Sequence, residues 1–380
     1  MFQFRNPKRD LIAIDSTRSV THGSKRFIRN VLDGLIDYTD LRIILFSETD
    51  QFNSYGGKRV QISRVRMNKS YLIRTLNSIF FIPIRARCYR AALLYSPWDI
   101  GPIVKILPFV LGIHNPNSVT PRKHRGIKAN LLHEFLSKMS ARKAIFVEFP
   151  SRSAAKAIGN HMSIKEEKIN VVYHGAEVLR WRNIVDRVRL SGTKNKLGDY
   201  FIFWSWFFPT KNILTLIKAF SKFRNKNGML KNIKLVCVGN FAYKKYKEEI
   251  VDLVESFGLN DQVIFIEKTS DAELVKLIYH SKAMVIPSLF ETFGFMYVEG
   301  RVFNKPFIVA DTEVAREVTE GQCIYFEGEN PSDLAEKMIL AVTGNDLSYN
   351  YKISDAFHEE HSARNLAEFF KKCLDSVVSE

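Results

Sequence analysis

Ile286-Pro287-Ser288-Leu289-Phe290-Glu291-Thr292-Phe293-Gly294-Phe295-Met296-Tyr297-Val298-Glu299-Gly300 is the stretch on which the reading of this chain turns. A short apolar run ends at Pro287, a loop carries Gly294, and helical spacing resumes after it, so the segment predicts a strand, a loop and a helix in succession. Ligands of parallel α/β sheets gather at the carboxyl ends of strands, where a helix start offers N–H groups and partial positive charge to a phosphate. Gly294 lets a backbone approach such a ligand. Glu291 on the loop and Glu299 about one turn into the helix can point into one pocket, with Thr292, Phe293, Gly294 and Phe295 offering main-chain donors. Two carboxylates suit the binding of sugar hydroxyls.

Working outward, short apolar runs alternate with helical-period segments along nearly the whole chain, the pattern of parallel sheets with helical crossovers. Strands are expected at Leu11 to Ile14, Leu41 to Ser47, Ala92 to Tyr95, Phe109 to Ile113, Ala144 to Val147 and Ile169 to Tyr173. The clearest helices between them are Ser24 to Asp37, Ile127 to Ser140 and one capped by Ser151. A second series follows, with strands at Tyr200 to Trp204, Ile233 to Val238, Val263 to Ile266, Ala283 to Ile286, Phe307 to Ala310 and Cys323 to Phe326. Its helices fall near 211–225, 243–257, 271–281, 295–303 and 331–343. The fold class is α/β, with two Rossmann-like domains. The expected boundaries are 1–180, a charged linker over 181–199, 200–355, and a closing helix over 356–380. A length of 380 residues suits two domains of ordinary size.

The net charge of +16 is concentrated in one half. Residues 1–180 hold 30 Lys and Arg against 13 Asp and Glu, and the remainder 26 against 27. Such a field attracts phosphates, anionic lipid or nucleic acid alike. Basic and aromatic residues interleave from Arg64 to Tyr95, which suits a surface patch, either solvated or docked on a membrane. No apolar stretch reaches the roughly 18 residues of a spanning helix, and Met1 to Asp10 lack the apolar core of a secretory signal, so a cytoplasmic location is expected. Cys88, Cys237, Cys323 and Cys373 show no metal or disulfide spacing and are read as reduced thiols. The chain contains no Asp-x-Asp, so a metal–diphosphate site of that type has no ligands and no metal is expected.

Two glutamates separated by seven residues after Pro287-Ser288-x-x-Glu291-x-Phe293-Gly294 resemble the signature of glycosyltransferase family 4, a group 1 family of retaining enzymes with the two-domain GT-B fold. His174-Gly175 is similar to that family's interdomain turn and Pro209-Thr210-Lys211-Asn212 to its Pro-Arg-Lys-Asn helix start. Asp311 to Val318 with Tyr325-Phe326 resembles the region closing the donor site, and His358 to Val378 the helix crossing back to the first domain. The resemblance implies two Rossmann-like domains facing across a cleft. It implies donor binding by Glu299, with Glu291 and the segment Thr292–Phe295 holding the transferred sugar and Lys268 lying in the base-recognition loop. Lys211 would neutralise the departing diphosphate. His114, in Gly112-Ile113-His114-Asn115, would lie near the sugar, and the Thr21-His22-Gly23-Ser24 turn on the acceptor side. Three positions depart from the pattern: Trp206 and Thr210 stand where many relatives carry an arginine, and Asn115 where they carry an aspartate.

The resemblance implies a metal-independent hexosyltransferase that moves a sugar, with retention, from a nucleoside-diphosphate sugar to a hydroxyl of a glycan or lipid-linked glycan, as in polysaccharide or lipopolysaccharide assembly. The basic first domain would serve as a peripheral contact with an anionic membrane. A rival reading is a catalytically weak nucleotide- or sugar-binding relative that has lost phosphate chemistry at Trp206. A nucleic-acid-binding protein has only the charge in its favour, and a sugar-nucleotide epimerase would convert donor without acceptor.

Overall fold

The computed structural model describes residues 8–19, 22–57, 59–66, 70–115, 127–192, 195–226, 230–344 and 349–378. The chain divides into two compact units, one made of residues 1–175 with 355–380 and the other of residues 176–354.

In the first unit a parallel sheet is built from β1 (Lys8–Asp15), β2 (Arg42–Ser47), β3 (Val60–Arg64), β4 (Ala91–Ser96), β5 (Phe109–Gly112), β6 (Phe146–Phe149) and β7 (Ile169–Val171), in the order β3-β2-β1-β4-β5-β6-β7. The order reverses direction between β1 and β4, which is the switch point of a Rossmann sheet. Helix α1 (His22–Tyr38) covers one face. On the other, Ile82 and Ala86 of the segment formed by α2 (Tyr71–Leu76), a π turn at Asn77–Phe81 and α3 (Ile82–Cys88) join one core with Ala141 of α4 (Ile127–Lys143) and Ile158 of α5 (Arg152–Met162). Ser151 caps α5 as its sequence predicts, its side chain accepting from the Ala154 N–H at 3.0 Å, a contact worth about 1 kcal/mol. β3 and the helical segment 71–88 lack a counterpart in the sequence reading. β3 is a five-residue edge strand with exposed polar positions, and the π turn breaks the 3.6-residue period on which helix recognition depends.

The second unit opens with α6 (Val178–Leu190), which runs through the first half of the stretch read as a linker over 181–199. Val178, Trp181 and Val188 are buried along it, and Trp181 meets Phe303 edge-on at 5.9 Å. Interleaved Arg180, Arg182, Arg187 and Arg189 mask that narrow apolar stripe in the sequence. The sheet is β8 (Tyr200–Trp204), β9 (Lys234–Val238), β10 (Val263–Ile266), β11 (Ala283–Ile286), β12 (Phe307–Ala310) and β13 (Ile324–Phe326), in the order β10-β9-β8-β11-β12-β13 and again parallel. Around it lie α7 (Ile213–Lys226), α8 (Lys244–Ser256), α9 (Asp271–His280), α10 (Phe295–Arg301), α11 (Glu313–Thr319) and α12 (Pro331–Thr343). Strands buried on both faces explain the near-continuous apolar runs such as Tyr200-Phe-Ile-Phe-Trp204.

The last helix, α13 (Glu359–Val378), returns to the first unit and packs along α1. The approach is close: Asn30 Nδ2 donates to Ser362 Oγ at 2.8 Å, which donates to the Tyr173 carbonyl at 2.7 Å. A Cβ on Gly175 would lie 2.5 Å from the Glu359 Cα, so only glycine fits there. Among the described residues no helix is long and apolar enough to cross a membrane, and all four cysteines are free thiols.

Candidate functional site

The chemistry of the second unit collects at the carboxyl ends of β8 and β11, the two adjacent strands at which its sheet order reverses. After β8 the chain passes Trp206 and Phe208, makes a 3-10 turn at Pro209–Lys211, and enters α7 through Asn212 in the left-handed conformation (φ 56°). After β11 it runs through Ser288 and Leu289 to Glu291. The two loops are tied by the Leu289 N–H donating to the Thr210 carbonyl at 3.0 Å, and Asn212 Nδ2 donates to the Gly328 carbonyl at 3.1 Å. That frame sets Lys211 Nζ directly on Glu291 Oε1, with side-chain exposures of only 12% and 11%. An ammonium and a carboxylate so far from bulk water attract strongly.

Gly294 turns the loop into α10 at φ 76°. A Cβ there would meet the buried Tyr297 ring at 2.6 Å, so this turn requires glycine. Thr292 and Phe293 are buried beside it, and Glu299 is buried on α10, 6% exposed. The helix ends at Arg301 rather than 303, as the N–H groups of Val302, Phe303 and Asn304 tighten to bonds three residues back and Asn304 turns left-handed at φ 50°; the Arg301 guanidinium is buried in the interior. There it donates to Glu320 Oε2 at 2.6 Å and to the Val318 and Lys352 carbonyls at 2.7 and 2.9 Å, fastening α10 to α11. Asp311 and Arg316, at the ends of β12 and on α11, pair at 2.5 Å with the guanidinium over the Tyr325 ring.

Lys211, Glu291 and the Thr292–Phe295 turn thus share one end of the sheet with Glu299. Lys268 stands apart, exposed on the loop after the edge strand β10, two strand spacings or roughly 10 Å from β8. Trp206 is 43% exposed and stacks on Phe208 at 6.2 Å, leaving no cation at that position.

In the first unit a second polar group lies at the corresponding sheet edge. His114 follows β5, its Nε2 2.5 Å from Glu148 Oε2 of β6, and Tyr95 of β4 donates to that same oxygen at 2.8 Å. The His114 ring packs edge-on against Phe27 at 4.4 Å and His174 at 4.8 Å. Burial, aided by the neighbouring His114, holds the His174 imidazole well below its ordinary pKa, so it is neutral at pH 7. Asp99 accepts from the His114 backbone N–H at 3.2 Å, and burial pushes its carboxyl up to about 6 against the pull of His114. Asp15, at the end of β1, is also fully buried and raised by that burial, although Thr17 donates to it from both N–H and Oγ1.

Sequence reasoning missed Asp15, Asp99 and Glu148; a carboxylate within the apolar run Phe146-Val-Glu148-Phe149 was the available signal. Gly23 and Ser24 sit in the first turn of α1 rather than in a loop before it, since the helix begins at His22. Thr21 and the His22 side chain lie outside the described residues. Among the described residues no group of three or more His, Cys, Asp or Glu side chains is disposed to hold a metal ion.

Residues 186–355 match the family described as glycosyl transferases group 1. The O-antigen chain mannosyltransferase RfbU of Salmonella typhimurium is 30% identical over 199 residues, 52% of this chain and 50% of that protein. An uncharacterized glycosyltransferase, MJ1607, of Methanocaldococcus jannaschii is 24% identical over 241 residues, 60% and 58% of the two chains. The matches therefore span only about half the length of these curated relatives. Among solved structures, a glycosyltransferase from Rickettsia africae ESF-5 superposes with a TM-score of 0.67 at 16% identity, over 96% of this chain and 98% of that one. Anabaena Alr3699/HepE in complex with UDP superposes with a TM-score of 0.65 at 16% identity, over 97% and 100%. The fold is accordingly that of the GT-B glycosyltransferases, α/β in both units. Residues 186–355 of this chain are a domain of the glycosyl transferases group 1 family.

Proposed function

We propose that the chain is a retaining, metal-independent hexosyltransferase that uses a nucleoside-diphosphate sugar and glycosylates a hydroxyl of a glycan or lipid-linked glycan in cell-surface polysaccharide assembly. The observation that carries this reading is the Lys211–Glu291 pair at the sheet's switch point, with Glu299 buried eight residues further on. An ammonium held there supplies positive charge to a diphosphate leaving group in a site poor in water, where it stabilises charge that grows as the glycosidic bond breaks. In the resting site Glu291 satisfies that ammonium. With donor present the ammonium turns to phosphate and Glu291 is released to accept from sugar hydroxyls. Glu299 accepts from the ribose hydroxyls. No residue of this site stands as an obvious covalent nucleophile, which favours attack on the same face that the phosphate leaves.

The acceptor reading rests on the first unit, where His114 and its buried partners line the equivalent sheet edge. The O-antigen and mannosyltransferase names of the relatives, and the UDP bound by the Anabaena protein, support a sugar nucleotide as donor and a surface glycan as product. Contact with an anionic membrane at the cytoplasmic face draws support from Leu72, Ile73, Phe81 and Ile84, exposed on the segment that also carries Arg74, Arg85 and Arg87, and from exposed Leu131 and Phe135 on α4. A second reading, a nucleotide- or sugar-binding relative with weak catalysis, is favoured by one observation: Trp206 offers an indole where a second phosphate-binding cation would be expected.

Incubating the purified chain with labelled UDP-, GDP-, dTDP- and ADP-sugars, with and without a lipid-linked glycan primer, separates these. Acceptor-dependent transfer with retained anomeric configuration, unaffected by EDTA, is expected. Binding without transfer would favour the second reading, and conversion of the donor sugar without acceptor would identify an epimerase.

A further inference from the structure

We propose that Glu148 is a positioning residue for transfer, fixing the tautomer and orientation of the His114 ring at the carboxyl end of β5. The inference rests on the reading of His114 as a residue beside the transferred sugar.

Glu148 lies on β6, between β5 and β7, with its side chain wholly out of solvent and apolar Val147 and Phe149 as sequence neighbours. A carboxylate at an interior strand position is costly unless its oxygens are engaged, and an apolar residue of similar size would serve packing better. Two groups converge on its Oε2, the Tyr95 hydroxyl donating at 2.8 Å and His114 Nε2 at 2.5 Å, while Oε1 is buried without a hydrogen bond to any described residue. Both rings are themselves held, Tyr95 edge-on against Phe370 of α13 at 4.9 Å, and His114 between Phe27 and His174. The imidazole is thereby held by two edge-on ring contacts and, at its Nε2, by the carboxylate. An acceptor at Nε2 keeps a proton on that nitrogen, so that in the neutral form of the ring the lone pair falls on Nδ1. His174 does not compete for this role: burial keeps it neutral, and it meets His114 through an edge-on ring contact. His114 retains 14% of its side-chain exposure while Glu148 has none, so the histidine is the member of the pair that a ligand can reach.

The experiment compares wild type, Glu148→Gln, Glu148→Asp and Glu148→Leu in the full chain. Four readouts are taken: melting temperature, stabilisation by UDP or GDP, kcat and donor KM, and the 15N chemical shifts of the His114 ring, assigned with a His114→Asn reference. The expected result is that Glu148→Gln keeps nucleotide stabilisation and donor KM, lowers kcat on the order of tenfold or more, and moves the His114 ring signals toward a mixture of tautomers. Glu148→Asp recovers part of kcat. A Glu148→Gln protein that keeps the wild-type kcat, or one whose His114 signals do not move, overturns the proposal. So does a loss of kcat that follows melting temperature alone across the three variants. A wild-type chain that binds nucleotide but transfers no sugar sinks the functional reading and this proposal together, which distinguishes that failure from a silent Glu148.

Discussion

Lys211→Met is the perturbation whose energetic consequence follows most directly from the structure. It keeps the aliphatic stem and removes the ammonium that faces Glu291, a carboxylate whose side chain is only 11% exposed. Breaking a fully buried pair by deleting one partner costs about 3–5 kcal/mol, because the survivor is left charged and poorly solvated. The residual exposure of this site puts the expected loss near the lower end, about 3 kcal/mol. Glu291→Gln, which leaves the ammonium behind, should cost about 2 kcal/mol on the same argument. The double variant removes both charges and should lose only about 1–2 kcal/mol relative to wild type, so the coupling in a double-mutant cycle is about 3–4 kcal/mol. Urea unfolding followed by tryptophan fluorescence reads this well, since Trp181, Trp204 and Trp206 all belong to the second unit and only Trp98 to the first. Additive single variants, with coupling under about 0.5 kcal/mol, would refute the claim that the two side chains form a mutually dependent pair in the resting site.

Gly294→Ala places a Cβ 2.6 Å from the Tyr297 ring at a backbone φ of 76°. Left-handed strain of about 1–2 kcal/mol and a ring that cannot move without opening the core predict a loss of about 2–4 kcal/mol by urea unfolding, with weakened nucleotide binding. Asp99 offers a test by pH. Its carboxyl, at about 6 in the fold against 3.8 in the unfolded chain, binds its proton more tightly when folded, so its contribution to stability is complete below pH 3.8 and is lost as pH rises through 6. Asp99→Asn removes that loss, and its stability relative to wild type should rise by up to about 3 kcal/mol between pH 4 and 7, measured by urea titration at each pH.

The sheets were legible in the sequence because both are parallel and buried on both faces, which leaves apolar runs with little disguise; Tyr200–Trp204 and Phe307–Ala310 need no tertiary information to be seen. The Lys211 to Glu299 constellation was legible for a related reason, since strand ends, a glycine turn and two carboxylates sit close together in the chain or at the starts of recognisable elements. What the sequence concealed depended on contacts across the fold. Helix α6 hides three buried apolar residues among arginines, and β3 is recognisable as a strand only once β2 lies beside it. The placement of Asp99 and Glu148 beside His114 was hidden because strand order brings them within hydrogen-bond reach of it; only the apolar run around Glu148 gave a local sign of burial.

The central claim is that the second unit holds a nucleoside diphosphate through Glu299 and Lys211, and thermal unfolding of wild type and Glu299→Ala with UDP, GDP, dTDP and ADP tests it most directly. One nucleotide should stabilise the wild type, by about 2.7 kcal/mol at a hundredfold excess over its dissociation constant, and leave Glu299→Ala unmoved. Stabilisation by none of the four, or equal stabilisation of the variant, would contradict the account.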